Sequence, residues 1–137
     1  MSGVRAACYT AVMTQPSANI VVASFNDCIT RRDIDGLSRL MTDDHVFIDT
    51  ANVTVSGKEQ CVVAWKSFFR AFPDYRNHLE RVRTTSTNVV IIGHSTCSDS
   101  RLSGPALWTA KIVGEQVAEW RVYEDTHANR KLLAIAD

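Results

Sequence analysis

The segment DDHVFIDT, residues 43–50, puts an acid where a pocket could use one. In an extended strand Val46 and Ile48 point to one side, and His45, Phe47 and Asp49 to the other. Asp49 thus shares a face with a phenylalanine, one strand step away. Two arrangements fit. Asp49 ends the strand and bonds to backbone amides of the following ANVT turn, or it looks into a cavity. In the second case the chemistry is general base catalysis. A carboxylate among apolar side chains loses solvation, and that loss makes it a stronger base. Desolvation, and not a salt bridge, is then expected to hold it.

A second acid, Asp125, ends the run QVAEWRVYED. Strand parity puts Val117, Glu119, Arg121, Tyr123 and Asp125 on one face. Four polar residues there fit a solvated surface with a Glu119–Arg121 pair, or the mouth of a cavity. His94, at the end of NVVIIGHSTC, is either a proton donor facing the cavity or a hydrogen-bonded structural histidine. His45 and His78 read as surface residues and His127 as part of a turn. The histidines are too scattered for a metal triad, so no metal ligands are assigned. Phe47, Trp65, Phe69 and Trp108 are aromatic candidates for the core or for a cavity wall, with Trp108 the foremost wall candidate. There is no GxSxG, no GxGxxG and no P-loop, so neither a serine hydrolase elbow nor a nucleotide cofactor is indicated.

The elements that must carry these residues follow from periodicity. Ser17 can cap a helix bearing Val21, Phe25, Cys28 and Ile29. Asp33 can cap a short second helix with Ile34, Leu37, Leu40 and Met41. Ser56 and Glu59 have capping-box spacing at the head of a third helix, whose stripe runs through Cys61, Val62, Trp65, Phe68, Phe69 and Phe72 until Pro73. After Pro73 the pattern turns to strands: DYRNHLERVRTT, NVVIIGHSTC, ALWTAKIV and QVAEWRVYED, the last two joined at Gly114-Glu115. The expectation is an α+β fold, with helices on one face of a curved antiparallel sheet.

The chain has 137 residues, enough for one domain with a core and a small cavity. Its 15 basic and 15 acidic residues cancel, and no basic run argues for nucleic acid. Cys8, Cys28, Cys61 and Cys97 form no CxxC pair; free thiols and a cytoplasmic setting are expected. No apolar run approaches a membrane span. Residues 1–16 are expected to be an N-terminal extension and 17–137 a single domain.

The order of these segments resembles a known superfamily. RRDIDGLSRLMTDDHVFID, followed by SGKEQCVVAWKSFFRAFPDYR and a meander ending in WRVYED, is similar to the nuclear transport factor two-like superfamily. It is most similar to the SnoaL-like polyketide cyclases and the related ketosteroid isomerases. The resemblance implies a cone: a curved antiparallel sheet wrapped round three N-terminal helices, a cystatin-like α+β barrel with an apolar cavity at its open end. It matches Asp49 to the isomerase general base and Asp125 to the cyclase general acid/base. The isomerase tyrosine falls at Phe25, which has no hydroxyl, and its second acid falls near Trp108. The cyclase helpers fall at Thr109 and Lys111 and are not reproduced. Phe25, Phe47, Trp65, Phe69, His94 and Trp108 are the candidate substrate contacts. The resemblance implies a cofactor-free cyclase, isomerase or lyase acting on a small apolar carbonyl compound, commonly as a homodimer. The alternative is a non-catalytic binding or dimerising domain of the same fold.

Overall fold

Among the described residues, every α-helix but one starts where a polar side chain can take up a free amide. In the computed structural model, which describes residues 17–85 and 88–136, Ser17 accepts from the Ile20 amide at the head of α1 (Ala18–Arg31). Val21, Val22, Phe25, Cys28 and Ile29 form its buried face. Arg32 stops the helix in a left-handed conformation, φ 57°, and its amide bonds back to Cys28 and Ile29 carbonyls. Asp33 accepts from the Gly36 amide and opens α2 (Ile34–Leu40). The expected extension, residues 1–16 with Cys8, lies outside the described residues.

The third helix corrects one expectation. α3 (Lys58–Ala71) begins after Gly57 at φ 93° and has no side-chain cap. The proposed Ser56–Glu59 box does not form, because Ser56 belongs to a short strand, β2 (Thr54–Ser56), and pairs with Val46. An extended Ser56 sits one residue too early to cap. Glycine suits Gly57, since a side chain there would be strained. The stripe itself behaves as expected: Cys61, Trp65 and Phe69 are buried.

The remaining strands are β1 (Met41–Ile48), β3 (Arg76–Thr85), β4 (Asn88–Thr96), β5 (Gly104–Val113) and β6 (Gln116–Glu124). They form one sheet with β2, in the order β2-β1-β6-β5-β4-β3. The β3–β6 meander is antiparallel throughout. β1 joins it alongside β6 in parallel, so the sheet is mixed. A single-turn helix, Ser100–Leu102, fills the β4–β5 connection. The segment after Glu124, read as a turn, contains α4 (His127–Leu132), capped by Thr126.

One face of the sheet packs on the helices. Val89, Ile91, Trp108, Ala110, Val117 and Trp120 share the main core with the α1 and α3 side chains. The opposite face carries a smaller cluster of Val90, Leu107 and Ile135, with Ile92, Tyr123 and Leu133 against it. Arg83 donates to the Leu133 and Ala134 carbonyls and ties the C-terminal segment over this face. A register shift between Lys111 and Ile112 pairs Ile112 with Val117 but Lys111 with Glu119. The extra residue flips the parity, so Val117 faces the core while Glu119 and Arg121 do not. A second shift, between Leu79 and Arg81 of β3, lies opposite Gly93. A β-carbon on Gly93 would sit 2.0 Å from the His78 carbonyl oxygen. No helix among the described residues is long and apolar enough to cross a membrane.

Candidate functional site

A cavity of about 370 Å³ opens between α3 and the inner face of the sheet. Phe47, Trp65, Phe68, Leu102, Trp120 and Val122 supply apolar wall, and Asp49, Thr50, Tyr75 and Asn77 bring polar groups to it. Its aromatic side is rigid: Trp65 stands edge-on to Phe47 and Phe68 at 5.7 Å each, and Phe68 edge-on to Tyr75 at 4.8 Å.

Asp49 follows the last residue of β1 and satisfies both arrangements posed by the sequence. Its Oδ1 accepts from the amides of Ala51 at 2.8 Å and Val53 at 2.9 Å, the bonding of a strand-end turn. It also lines the cavity. Backbone amides hold the carboxylate, where desolvation was the expectation. The turn is braced from β6: Asn52, at φ 64°, accepts from the Arg121 guanidinium at 2.5 Å. Arg121 therefore does not make the expected pair with Glu119. It also lies over the Tyr123 ring at 4.7 Å, while Glu119 faces Lys111 at 3.8 Å.

Asp125 is elsewhere. It is not among the cavity residues, and Arg130 grips both its oxygens, at 2.6 and 2.9 Å. The guanidinium hydrogen bonds hold its carboxyl below the usual range. Arg130 comes from α4, the helix that sequence reading took for a turn, so this pair could not be foreseen.

Of the six candidate contacts, Phe47 and Trp65 line the cavity. Phe25 is wholly buried between His45 and Trp120, with ring centroids at 5.7 and 4.8 Å. Phe69 is buried under the Arg32 guanidinium. Trp108 is wholly buried in the main core and does not reach the cavity. His94 shares parity with Val90 and Ile92, so it lies on the outer face. There it stacks on His78 at 4.6 Å and meets Glu80 at 3.3 Å.

His45, expected at the surface, is completely buried. Its Nδ1 donates to the Val117 carbonyl at 2.6 Å, and burial pushes its pKa down, against that bond. Burial likewise raises the Cys61 thiol, whose Sγ approaches the Val55 carbonyl at 3.4 Å. Such a thiol is a poor nucleophile.

Sequence reasoning missed a second polar group at the cavity. Tyr75, Asn77 and Ser95 are buried together. Ser95 Oγ donates to Asn77 Oδ1 at 2.8 Å, and the Tyr75 hydroxyl lies 3.2 Å from Ser95 Oγ. Burial raises the Tyr75 pKa, and hydrogen bonds with Ser95 and Asn77 pull the other way. The available signal was Asn77 itself, a residue disfavoured inside strands.

A family model for the SnoaL-like domain matches residues 22–128. The chain belongs to the SnoaL-like domain family. Solved structures agree on the fold. A protein provisionally named a SnoaL-like polyketide cyclase, from Shewanella putrefaciens CN-32, superposes with a TM-score of 0.70 at 20% identity, covering 87% of this chain and 86% of its own. A cystatin-fold protein from Novosphingobium aromaticivorans gives 0.66 at 18%, over 74% and 93%. One provisionally named a ketosteroid isomerase, from Kribbella flavida DSM 17836, gives 0.65 at 12%, over 78% and 76%. At these identities the likeness establishes the SnoaL-like fold, cystatin-like and α+β, and no particular activity. A comparison with curated protein sequences finds no match.

Proposed function

We propose that this SnoaL-like chain binds a small apolar carbonyl compound and moves a proton on it, with Asp49 as general base. The observation that carries the proposal is the double role of Asp49. One oxygen is fixed by two amides, and the residue faces an apolar cavity. A carboxylate already oriented by backbone donors costs little reorganisation when it accepts a proton. The apolar walls favour a ligand with few polar groups. Among the described cavity residues Asp49 is the sole carboxylate, so the same group must take and return the proton. This suits a cofactor-free isomerisation, cyclisation or elimination. A thermal-shift screen of apolar ketones, polyketide mimics and steroids tests the ligand class. A hit should raise the melting temperature, and Asp49→Asn should keep binding but lose turnover. Full turnover by Asp49→Asn would overturn the proposal.

The alternative is a binding domain without chemistry. The Asp125–Arg130 pair favours it, because that pair removes the second acid from the cavity. For such a domain Asp49→Asn would change neither binding nor any reaction. In either case we infer a homodimer in the cytoplasm. The outer sheet face is only partly covered by Leu133 and Ile135, and Cys28, Cys61 and Cys97 are free thiols. Light scattering that finds only monomer at micromolar concentration would overturn the dimer.

A further inference from the structure

We infer that Asn77 is the hydrogen-bond donor for the ligand's carbonyl oxygen, and so for the enolate that forms when Asp49 takes a proton. The inference deepens the proposed function and rests on Asp49 acting as base. Phe25 cannot take this role, since it has no hydroxyl and is buried away from the cavity.

The donors round Asn77 can be counted. Ser95 Oγ carries one hydrogen, and it points to Asn77 Oδ1, which can only accept. The Tyr75–Ser95 contact must therefore run from the Tyr75 hydroxyl to Ser95 Oγ. Asn77 Oδ1 is thereby occupied, and the amide is oriented with its NH₂ on the other side. That NH₂ has two hydrogens. At most one faces Tyr75, whose burial is offset first by Ser95 and then by Asn77. The second remains for a ligand in the cavity that Asn77 lines. The Asn77 residue is only 6% exposed, so this donor acts with little competition from water. The chain from Tyr75 through Ser95 polarises the amide and strengthens its remaining N–H as a donor.

Topology supplies the opposing group. Asp49 follows β1 and Asn77 lies on β3, with β6, β5 and β4 between those strands in the sheet. Both nevertheless line one cavity, because the sheet curls round it. A carbonyl compound bound where both groups reach it would present its α C–H to Asp49 and its oxygen, two bonds away, to Asn77. The Asp49 carboxylate takes the α-proton. The C–H electron pair becomes the new C=C bond, and the carbonyl π pair moves to oxygen, where Asn77 N–H receives it. Asp49 then returns the proton to a carbon of the same ligand. Atoms and charge balance with no added oxidant or reductant. The ligand class is an apolar ketone or acyl compound with an acidic α C–H and one hydrogen-bonding oxygen at the Asn77 end.

The test uses 2-naphthol, whose naphtholate oxygen mimics an enolate, and naphthalene, which has no oxygen. Binding is measured with Asp49→Asn protein, whose neutral amide mimics the protonated base. Adding Asn77→Leu should weaken 2-naphthol about tenfold or more, since a hydrogen bond to a charged oxygen is lost. It should leave naphthalene unchanged, and the fluorescence of bound 2-naphthol should shift from naphtholate toward neutral naphthol. Ser95→Ala, which frees the amide, should weaken 2-naphthol several-fold and decide the matter if Asn77→Leu does not fold. Equal losses for both probes, or no loss for 2-naphthol, would overturn the role of Asn77 while leaving the cavity intact. Failure of both probes to bind the Asp49→Asn protein would overturn the cavity proposal and this inference together. Loss of the 2-naphthol preference alongside full turnover by Asp49→Asn would instead remove Asp49 and keep Asn77.

Discussion

Arg130 and Asp125 close a two-pronged pair, Nε to Oδ1 at 2.6 Å and Nη2 to Oδ2 at 2.9 Å, with side chains 24% and 14% exposed. The pair ties α4 to the end of β6. It is a structural clasp and not part of the cavity.

The clasp predicts an acid-dependent loss of stability. The folded-state pKa of Asp125 lies below its ordinary value of 3.8. Its stabilisation is thus fully present above that value and is lost as pH falls through the folded pKa. Asp125→Asn should cost roughly 1–3 kcal/mol at neutral pH, in the range of a charge-assisted hydrogen bond. It should leave cavity binding and any Asp49-dependent turnover unchanged. Urea denaturation between pH 2 and 7, with ligand titration of the variant, checks both halves.

Asp49→Asn should fold normally. Its amide oxygen can still accept from the Ala51 and Val53 amides, so stability should stay within about 0.5 kcal/mol of the parent. Turnover of an identified substrate should fall at least about a hundredfold. Asp49→Ala should fall as far in activity and also lose about 1 kcal/mol from the turn. Paired melting curves and rate measurements separate the two effects.

His45 predicts a second pH window, higher than that of Asp125. Its folded-state pKa lies below the ordinary 6.5, chiefly because of burial. Below pH 6.5 the unfolded chain therefore binds the proton first. Stability should fall as pH drops from about 6.5, by at most about 1.4 kcal/mol per pH unit, and level off once the folded imidazole also protonates. His45→Asn keeps a donor toward the Val117 carbonyl but cannot titrate. It should flatten this part of the curve, as denaturation midpoints at pH 5, 6 and 7 would show.

Gly93→Ala should be strongly destabilising. The added methyl group would meet the rigid His78 carbonyl oxygen at 2.0 Å, and no side-chain rotation relieves that contact. A cost of about 2–4 kcal/mol is expected from forced separation of β3 and β4. Val90→Ala, on the outer face of the same strand, serves as the control for simple loss of apolar area and should cost less.

The elements that could be read in the sequence were those with one dominant local signal. The Cys61–Phe69 stripe, the Ser17 and Asp33 caps and the β3–β6 meander depend on periodicity and nearby polar groups. Parity along NVVIIGHSTC separates Val89 and Ile91 from Val90 and Ile92 as the structure does. What escaped depends on contacts distant in the chain. His45 reads as polar and exposed until Val117 provides its carbonyl from 72 residues away. Val117 reads as sharing a face with Glu119 until the irregularity in β5–β6 turns it inward. Trp108 and Phe25 read as possible cavity walls, because aromatic type alone does not tell core from lining. At the site, Asp49, Phe47 and Trp65 were legible from strand and helix spacing. Asn77 was not, since its role needs Ser95 and Tyr75 beside it.

The parallel joint between β1 and β6 governs the order in which the molecule can be assembled. The helices α1–α3 and the hairpins of β3–β6 form from neighbouring segments, but the joint must bring together segments as far apart as His45 and Val117. Closing so long a loop is the slow kind of folding event. Asp49 stands at the end of β1, whereas Trp120 and Val122, which face the same cavity, lie on β6. During synthesis the ribosome must release the chain through β6 before these walls can meet. The cavity is therefore among the last features to exist, and a chain interrupted before β6 has Asp49 but nowhere for it to act.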